Sequence, residues 1–151
     1  MYDLRDIVRG AAGFTLGELL TGIVIFGILT AIAVPNFTRT LPGLRLGDAA
    51  RQIATDLQHL RMKAIAQNTP YQVTFSSTSY VLQRCSGACM NDSGNIALPA
   101  GITVTAGASP QFVARGTAVS AVTVTLSNGS AQRYVCVKAV GRISIQDTVC
   151  S

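Results

Sequence analysis

The side chains able to do chemistry are few in this 151-residue sequence, and its four cysteines stand out. Cys85 and Cys89 enclose a three-residue loop, whereas Cys136 and Cys150 lie near the C-terminus. Neither pair has the C-x-x-C spacing of a zinc site, and the single histidine, His59, has no partner at metal-ligand spacing. We therefore expect no metal ion and no cofactor.

Catalysis has little support among the remaining polar residues. The β-rich C-terminal part contains only two acids, Asp92 and Asp147, and paired carboxylates are absent from the sequence beyond its first residues. A G-x-S-x-G nucleophile motif and a glycine-rich phosphate loop are also absent. We expect a protein that is not an enzyme.

Glu18 is the exception in a long apolar run. Charged residues make up 13% of the chain, against about 25% in ordinary soluble domains, and Glu18 is the only ionisable residue between Arg9 and Arg39. Residues 14–37 would form about 36 Å of helix at 1.5 Å per residue, enough to cross a hydrocarbon core of about 30 Å. The run is apolar on all sides, which favours membrane insertion.

Three membrane interpretations fit this run. Residues 19–30, preceded by Arg5 and Arg9 and followed by the small-x-small sequence Ala31-Ile32-Ala33, would suit a cleaved signal peptide. An uncleaved anchor would also suit it, as would a prepilin signal that is cleaved before the run. Glu18 favours the third, since a carboxylate costs up to about 2.5–3.5 kcal/mol at the bilayer centre and gives a signal peptide or simple anchor no benefit.

The segment Gly13-Phe14-Thr15-Leu16-Gly17-Glu18-Leu19-Leu20 resembles the type IV prepilin signature. The resemblance implies that a membrane peptidase cleaves after Gly13 and methylates the new N-terminal amine of Phe14. It also implies a role in assembly for Glu18, which lies about 6 Å from that amine along a helix. Gly17 departs from the family, which usually has a large aliphatic residue at this position.

The next segment predicts a second, amphipathic helix at about residues 44–67. Its apolar positions recur at helical spacing: Leu46, Ala50, Ile53, Leu57, Leu60 and Ala64. Pro35 predicts a bend and Pro42 a break or kink before this helix, and residues 68–70 predict its end. The basic residues Arg51, Arg61 and Lys63 are interpreted as a solvated face, and His59 as an ordinary helix residue.

Beyond Pro70 the hydrophobic period changes from 3.6 to 2, which predicts strands. The alternation also predicts that Val122, Val124 and Leu126 face the helix, and Asn128-Gly129 predicts a hairpin turn. The predicted strands are residues 71–75, 80–84, 102–106, 111–114, 122–126, 132–138 and 142–145. The fold class is α+β, with a long N-terminal helix packed on a small antiparallel β-rich head.

Residues 49–70, together with the ending Val140-Gly141-Arg142-Ile143, resemble the GspH/FimT branch of pilin-like proteins. This resemblance implies a leader at 1–13, a membrane and filament-core helix at 14–37, an amphipathic helix at 38–68 and a periplasmic head at 69–151. It implies a minor subunit of a type IV pilus or of the type II secretion pseudopilus. Its partners would be other pilin or pseudopilin subunits, the prepilin peptidase, the inner-membrane assembly platform and, before assembly, membrane lipid.

All four cysteines follow the apolar run. Arg5 and Arg9 place the N-terminus in the cytoplasm by the positive-inside tendency, so the head would lie in the periplasm, where disulfides persist. Three pairings are possible. We favour Cys85–Cys89, which closes a tight loop, and Cys136–Cys150, which ties the C-terminal tail to a strand.

The head is basic near its C-terminus, which makes DNA binding an alternative function. The formal net charge is +5, and Arg133, Lys138 and Arg142 are candidates for contacts with phosphate. Some FimT-like proteins are thought to capture DNA through a Gly-Arg-x-Arg segment. Here Ser144 replaces the second arginine, so a solvated surface is the favoured interpretation.

Overall fold

The structure, a computed structural model, describes residues 13–150. The leader residues 1–12, including Arg5 and Arg9, lie outside the described residues. A single helix, α1 (Leu16–Ala66), contains both the apolar run and the amphipathic segment. Of the break or kink predicted at Pro42, the break is wrong, because α1 continues through this residue. Proline removes one hydrogen bond from a helix, but its fixed φ is itself helical, so it need not end the helix.

The chain divides into two compact units, one through Arg39 and one from Thr40 onward. In the second unit, α1 buries one stripe of apolar side chains. The buried helix residues are Leu46, Ala49, Ala50, Ile53, Ala54, Leu57, Leu60 and Ala64. This stripe contains every apolar position predicted for the amphipathic helix, and it forms one core cluster with the strands described below. Burial of this face is what holds α1 to the sheets.

Helix α1 ends in a turn that satisfies its last carbonyl groups. Asn68 adopts a positive φ of 48°. Its N–H donates to the Ile65 carbonyl at 3.3 Å, and the Thr69 N–H donates to the Ala64 carbonyl at 3.2 Å. This is the Schellman arrangement. Pro70 follows directly and cannot continue a helix, so the chain leaves α1 at the predicted point.

The first sheet contains five short antiparallel strands. Their order is β3-β2-β1-β6, and β4 also pairs with β2. The strands are β1 (Tyr71–Ser76), β2 (Ser79–Ser86), β3 (Ala88–Asn91), β4 (Ile96–Ala97) and β6 (Gln111–Phe112). Tyr71, Tyr80 and Phe112 are its largest buried side chains. Strands β3 and β4 were not predicted, since β3 is exposed along its whole length and β4 has two residues.

The second sheet has the order β5-β7-β8-β9 and is also antiparallel. Its strands are β5 (Thr103–Ala106), β7 (Val122–Ser127), β8 (Gln132–Val137) and β9 (Ile143–Gln146). Val122, Val124 and Leu126 are buried in the same cluster as the helix stripe, as predicted from their alternation. The β7–β8 turn is built on Asn128, whose side-chain oxygen accepts from the backbone N–H groups of Ser130 and Ala131. Gly129 takes the positive φ, 86°, that this turn requires.

Candidate functional site

In the described part of the first unit, no protein covers the apolar span of α1. Residues Leu16–Val34 have a mean hydropathy of 2.1, and none of this span is buried. Large side chains along it are more than half exposed, for example Phe26 at 71% and Ile32 at 67%. The span is long enough and apolar enough to cross a membrane. Apolar area on this scale requires lipid or another apolar surface.

Thr15 caps the N-terminus of α1. The hydroxyl oxygen of Thr15 accepts from the Glu18 N–H at 3.2 Å, and Glu18 is the acidic residue of the first turn. A carboxylate there also interacts favourably with the helix dipole. The sequence Thr15-Leu16-Gly17-Glu18 is the T-x-x-E signature of a capping box. This signal lies in the sequence alone and is sufficient to locate the first residue of α1.

The apolar span contains two threonines whose hydroxyl groups bond within the helix. The Thr21 hydroxyl donates to the Gly17 or Glu18 carbonyl, both at 3.0 Å, and the Thr30 hydroxyl donates to the Phe26 carbonyl at 2.7 Å. A hydroxyl that bonds its own backbone needs no water. These two polar residues are therefore compatible with an apolar environment, which leaves Glu18 as the polar group of this span that requires a partner.

In the second unit, all three basic residues of the face predicted to be solvated have specific partners. Arg61 is half-buried, and its Nε donates to the Gly116 carbonyl at 2.7 Å. The interpretation of Arg61 as a solvated residue was therefore wrong. Lys63 is exposed but forms an ion pair with Asp92 at 2.8 Å, and the hydrogen bond to Asp92 raises the pKa of Lys63. Arg51 is exposed and pairs with Asp48 on its own helix.

Two glycines meet at Arg61. Gly116 and Gly141 have positive φ values of 80° and 83°. A Cβ on Gly141 would lie against the Gly116 carbonyl oxygen and 2.9 Å from the Arg61 Nε. Gly141, which belongs to the segment compared above with a DNA-binding motif, thus occupies a buried turn. Its position serves the close approach of two loops to α1.

The three DNA-binding candidates do not form one cluster. Arg133 lies at the start of β8 and is paired with Asp147. Lys138 and Arg142 flank the turn after β8, where the Lys138 N–H donates to the Arg142 carbonyl at 2.8 Å. Lys138 follows Arg133 by five residue steps, or about 16 Å along an extended chain. The structure therefore brings together two of the three predicted residues.

The four cysteines lie in two disulfides in the second unit. Cys85 is joined to Cys89 across the β2–β3 hairpin, with Cα atoms 4.0 Å apart. Cys136 is joined to Cys150, with Cα atoms 5.6 Å apart. Gly87, with a φ of 87°, forms the turn of the first loop. Among the described residues, no group of His, Cys, Asp and Glu side chains is arranged to hold a metal ion, and His59 is exposed on α1.

Comparison with known proteins places this arrangement in a family. Residues 49–141, more than half of the chain, match the family of the type II transport protein GspH. The chain belongs to the GspH family. The resemblance to the GspH/FimT branch is thereby confirmed. A search of curated proteins found no match to this GspH-family chain.

Solved structures agree with this assignment at the level of the fold. The minor pseudopilin EpsH from the type 2 secretion system of Vibrio cholerae matches with a TM-score of 0.59 at 11% identity, over 68% of this chain and 97% of that one. The type IV minor pilin FimU of Pseudomonas aeruginosa matches with a TM-score of 0.57 at 18% identity, over 70% and 92% of the two chains. The predicted α+β pilin-like fold is confirmed for this GspH-family chain. Family and fold are those of structural pilin subunits.

Proposed function

We propose that this chain is a minor pilin or pseudopilin that enters a type IV pilus or a type II secretion pseudopilus through its N-terminal apolar helix. The observation that carries the proposal is the apolar span Leu16–Val34, none of which is buried, in a chain of the GspH family. Such a surface is stable in lipid before assembly. It is equally stable beside the apolar helices of neighbouring subunits afterwards.

Processing precedes assembly in this proposal. The prepilin peptidase cleaves between Gly13 and Phe14 and methylates the new amine, and the assembly platform then adds the subunit to the filament. The Thr15 cap supports this position of the cut, because Thr15 remains in the mature chain and α1 keeps its hydrogen-bonded start. Cleavage after Ala33 would instead remove the apolar span from the head.

The mature chain begins in the inner membrane as a single-pass protein with its head in the periplasm. The two disulfides of the head support that location, because disulfides persist in the oxidising periplasm and are rare in the cytoplasm. All four cysteines follow the membrane span in the sequence. The β-rich head is therefore the part that faces outward.

Glu18 sets the position of the subunit within the filament. Its carboxylate lies in the first turn of an apolar helix, where an unpaired charge is costly. The methylated amine of Phe14, from the same chain or from a neighbouring subunit, neutralises that charge. Pairing with a neighbour favours one axial register between adjacent helices, because any other register leaves both charges unpaired in an apolar environment.

Substitution of Glu18 tests this role. We expect Glu18→Ala and Glu18→Gln to reduce incorporation into filaments at least about tenfold, because a lost charge pair of about 1.4 kcal/mol has that effect on an equilibrium. Glu18→Asp should keep part of the incorporation. Thr21→Ala is the matched control, since the Thr21 hydroxyl bonds its own helix. The measurements are subunit content of sheared filaments and the intact mass of the mature chain.

The mass separates a failure of assembly from a failure of processing. Each variant should begin at methylated Phe14, so that the loss is one of docking alone. Normal incorporation of Glu18→Ala would exclude the pairing role. A wild-type chain that begins at Val34 would overturn the whole proposal, because the apolar span would then be absent from the mature protein.

A further inference from the structure

A cleft lies between the two sheets, where strand β1 of one faces strand β5 of the other. Its volume is about 430 Å³. Residues 75–77 form one wall, residues 104–106 the opposite wall, and residues 108–109 of the β5–β6 loop close the space between them. We call this space the strand cleft. It belongs entirely to the second unit and is distinct from the apolar helix that the proposed function uses.

Two hydrogen bonds close the strand cleft at its ends. At one end the Val104 N–H donates to the Ser77 carbonyl at 2.8 Å. At the other end the Val73 N–H donates to the Pro110 carbonyl at 3.0 Å. Val73 and Ser77 are four residue steps apart, or about 13 Å, so three residues of β1 lie between the closed ends. An occupant in the plane of the sheets is therefore limited to a few residues.

The strand register determines which backbone groups face the strand cleft. The N–H groups of Val73 and Val104 both point away from their hairpin partners on β2 and β7. Because backbone groups alternate with a period of two along an antiparallel strand, those of Phe75 and Ala106 point the same way. Their strand partners, Tyr80 and Val124, lie on the opposite side. Both walls thus present strand-edge N–H groups to the cleft.

The side chains of the strand cleft are neutral and mostly small. Serine, threonine, alanine and valine accompany one aromatic residue, Phe75, and no charged side chain of the described chain lines the space. The Phe75 ring packs against Tyr80 with ring centres 5.8 Å apart. Tyr80 is in turn bonded to Asp56 and Gln52 of α1. The β1 wall is therefore fixed to the helix and does not need to form when an occupant binds.

We propose that the strand cleft binds a short, extended, uncharged segment of another polypeptide, which pairs through its backbone with Phe75 on one wall and Ala106 on the other. Two facing strand edges offer the donors and acceptors of a missing strand, and an extended backbone matches both at once. The two closed ends restrict that segment to a loop tip or a chain end. The neutral lining disfavours a charged segment, whose desolvation nothing would offset.

Amide hydrogen exchange of the full mature chain in detergent micelles tests this proposal. The probe is the capped dipeptide acetyl-Thr-Val-amide, which is short enough for the open stretch of about 13 Å, and its backbone N-methylated analogue is the control ligand. At about ten times Kd, the peptide should slow exchange at Phe75 and Ala106 about tenfold by mass action. Exchange at the exposed turn residue Val140 should not change. The N-methylated analogue cannot donate to the carbonyl groups of the walls, and its methyl groups block the close approach of two strands, so it should have no effect.

A proline variant tests the β5 wall directly. Ala106→Pro removes the N–H that faces the strand cleft and leaves the β5–β7 hydrogen bonds in place, because the Ala106 N–H points away from β7. It should weaken peptide binding at least about tenfold, a difference of about 1.4 kcal/mol. Ile145→Pro is the matched control. By the same alternation, Ile145 presents its N–H at the opposite edge of that sheet, on β9.

Three results would overturn the proposal. One is unchanged exchange at Phe75 and Ala106 up to saturating peptide, and another is equal protection by the N-methylated analogue. The third is protection by D-glucose in place of the peptide, which would identify the strand cleft as a carbohydrate site. Loss of protection in Ala106→Pro but not in Ile145→Pro supports backbone pairing at this wall.

Discussion

Tyr80 joins strand β2 to helix α1 through its hydroxyl group. The hydroxyl donates to a carboxylate oxygen of Asp56 and accepts from the Gln52 side chain at 3.2 Å. The residue is 1% exposed. Burial, followed by the hydrogen bond to Asp56, raises the pKa of Tyr80 above its ordinary value. One side chain thus fixes the β1–β2 hairpin to the helix and keeps its proton in the folded state.

The raised pKa of Tyr80 makes folding sensitive to alkaline pH. An unfolded tyrosine ionises near pH 10, whereas folded Tyr80 does not, so its stabilising effect is complete below about pH 10 and declines above it. Tyr80→Phe should lower the free energy of unfolding by about 1–2 kcal/mol at pH 7 and flatten the decline above pH 10. Urea unfolding at pH 7, 9, 10 and 11 measures both effects.

Tyr134→Phe is the control for loss of a tyrosine hydroxyl group. The Tyr134 hydroxyl donates to Gln132, two residues away on the exposed part of β8, so its removal should change stability by less than about 0.5 kcal/mol. An equal loss in the two variants, or an unchanged alkaline slope in Tyr80→Phe, would contradict the role assigned to Tyr80.

Alanine substitutions at Gly141 and Gly129 distinguish the cost of backbone strain from the cost of a steric clash. Both have a positive φ, 83° and 86°. A Cβ on Gly129 would meet nothing within 4 Å, whereas a Cβ on Gly141 would meet the Gly116 carbonyl oxygen and Arg61. Gly129→Ala should therefore cost about 1 kcal/mol of strain. Gly141→Ala should cost about 3 kcal/mol or more, since the two loops must also move apart from α1.

Thermal and urea unfolding of the two alanine variants measures this difference. Equal destabilisation would mean that the loops around Arg61 yield without cost, and the close approach of Gly116 and Gly141 would then have no energetic importance. Arg61→Lys is a useful companion variant. It keeps the charge but cannot reproduce the planar Nε–H donor to the Gly116 carbonyl.

At the scale of elements, hydrophobic periodicity and turn residues correctly predicted the helices, strands and turns that depend on neighbouring residues in the sequence. The helix stripe from Leu46 to Ala64, the hairpin from Tyr71 onward and the Asn128-Gly129 turn all lie where their patterns placed them. Strand β3 escaped prediction because its side chains are all exposed and show no alternation. Of the break or kink predicted at Pro42, the break was wrong, because one lost hydrogen bond does not outweigh the burial of the helix stripe that follows.

The candidate site was predictable where its signal is contiguous in sequence. Gly13, Phe14 and Glu18 form a local motif, and an exposed apolar span follows from composition alone. The contacts of Arg61 were not predictable. Its acceptor, Gly116, lies 55 residues away, and helical periodicity indicates only that Arg61 is at the edge of the buried stripe. The strand cleft likewise depends on two strands that pair with different partners.

At the scale of the whole molecule, stability and assembly reside in different parts of the described chain. Within residues 13–150, the buried apolar side chains all lie between Leu46 and Val137. The described part of the first unit contributes none of them, and its surface is the one proposed to contact lipid and neighbouring helices. A change in the apolar span should therefore affect location and assembly without unfolding the head.

Truncation tests this separation. A chain that begins at Thr40 lacks the apolar span but keeps the whole described core, so we expect a water-soluble monomer that unfolds in one cooperative transition. A chain that begins at Arg51 is the control. It also loses Leu46, Ala49 and Ala50, which are at most 2% exposed, and loss of buried Leu46 alone should cost about 2–5 kcal/mol.

Circular dichroism against temperature, with sedimentation for the oligomeric state, compares the two chains. Aggregation or non-cooperative unfolding of the Thr40 chain would mean that the apolar span supports the head. Because hydrophobic stabilisation requires buried area, and the described part of that span buries none, we expect the loss only in the Arg51 chain.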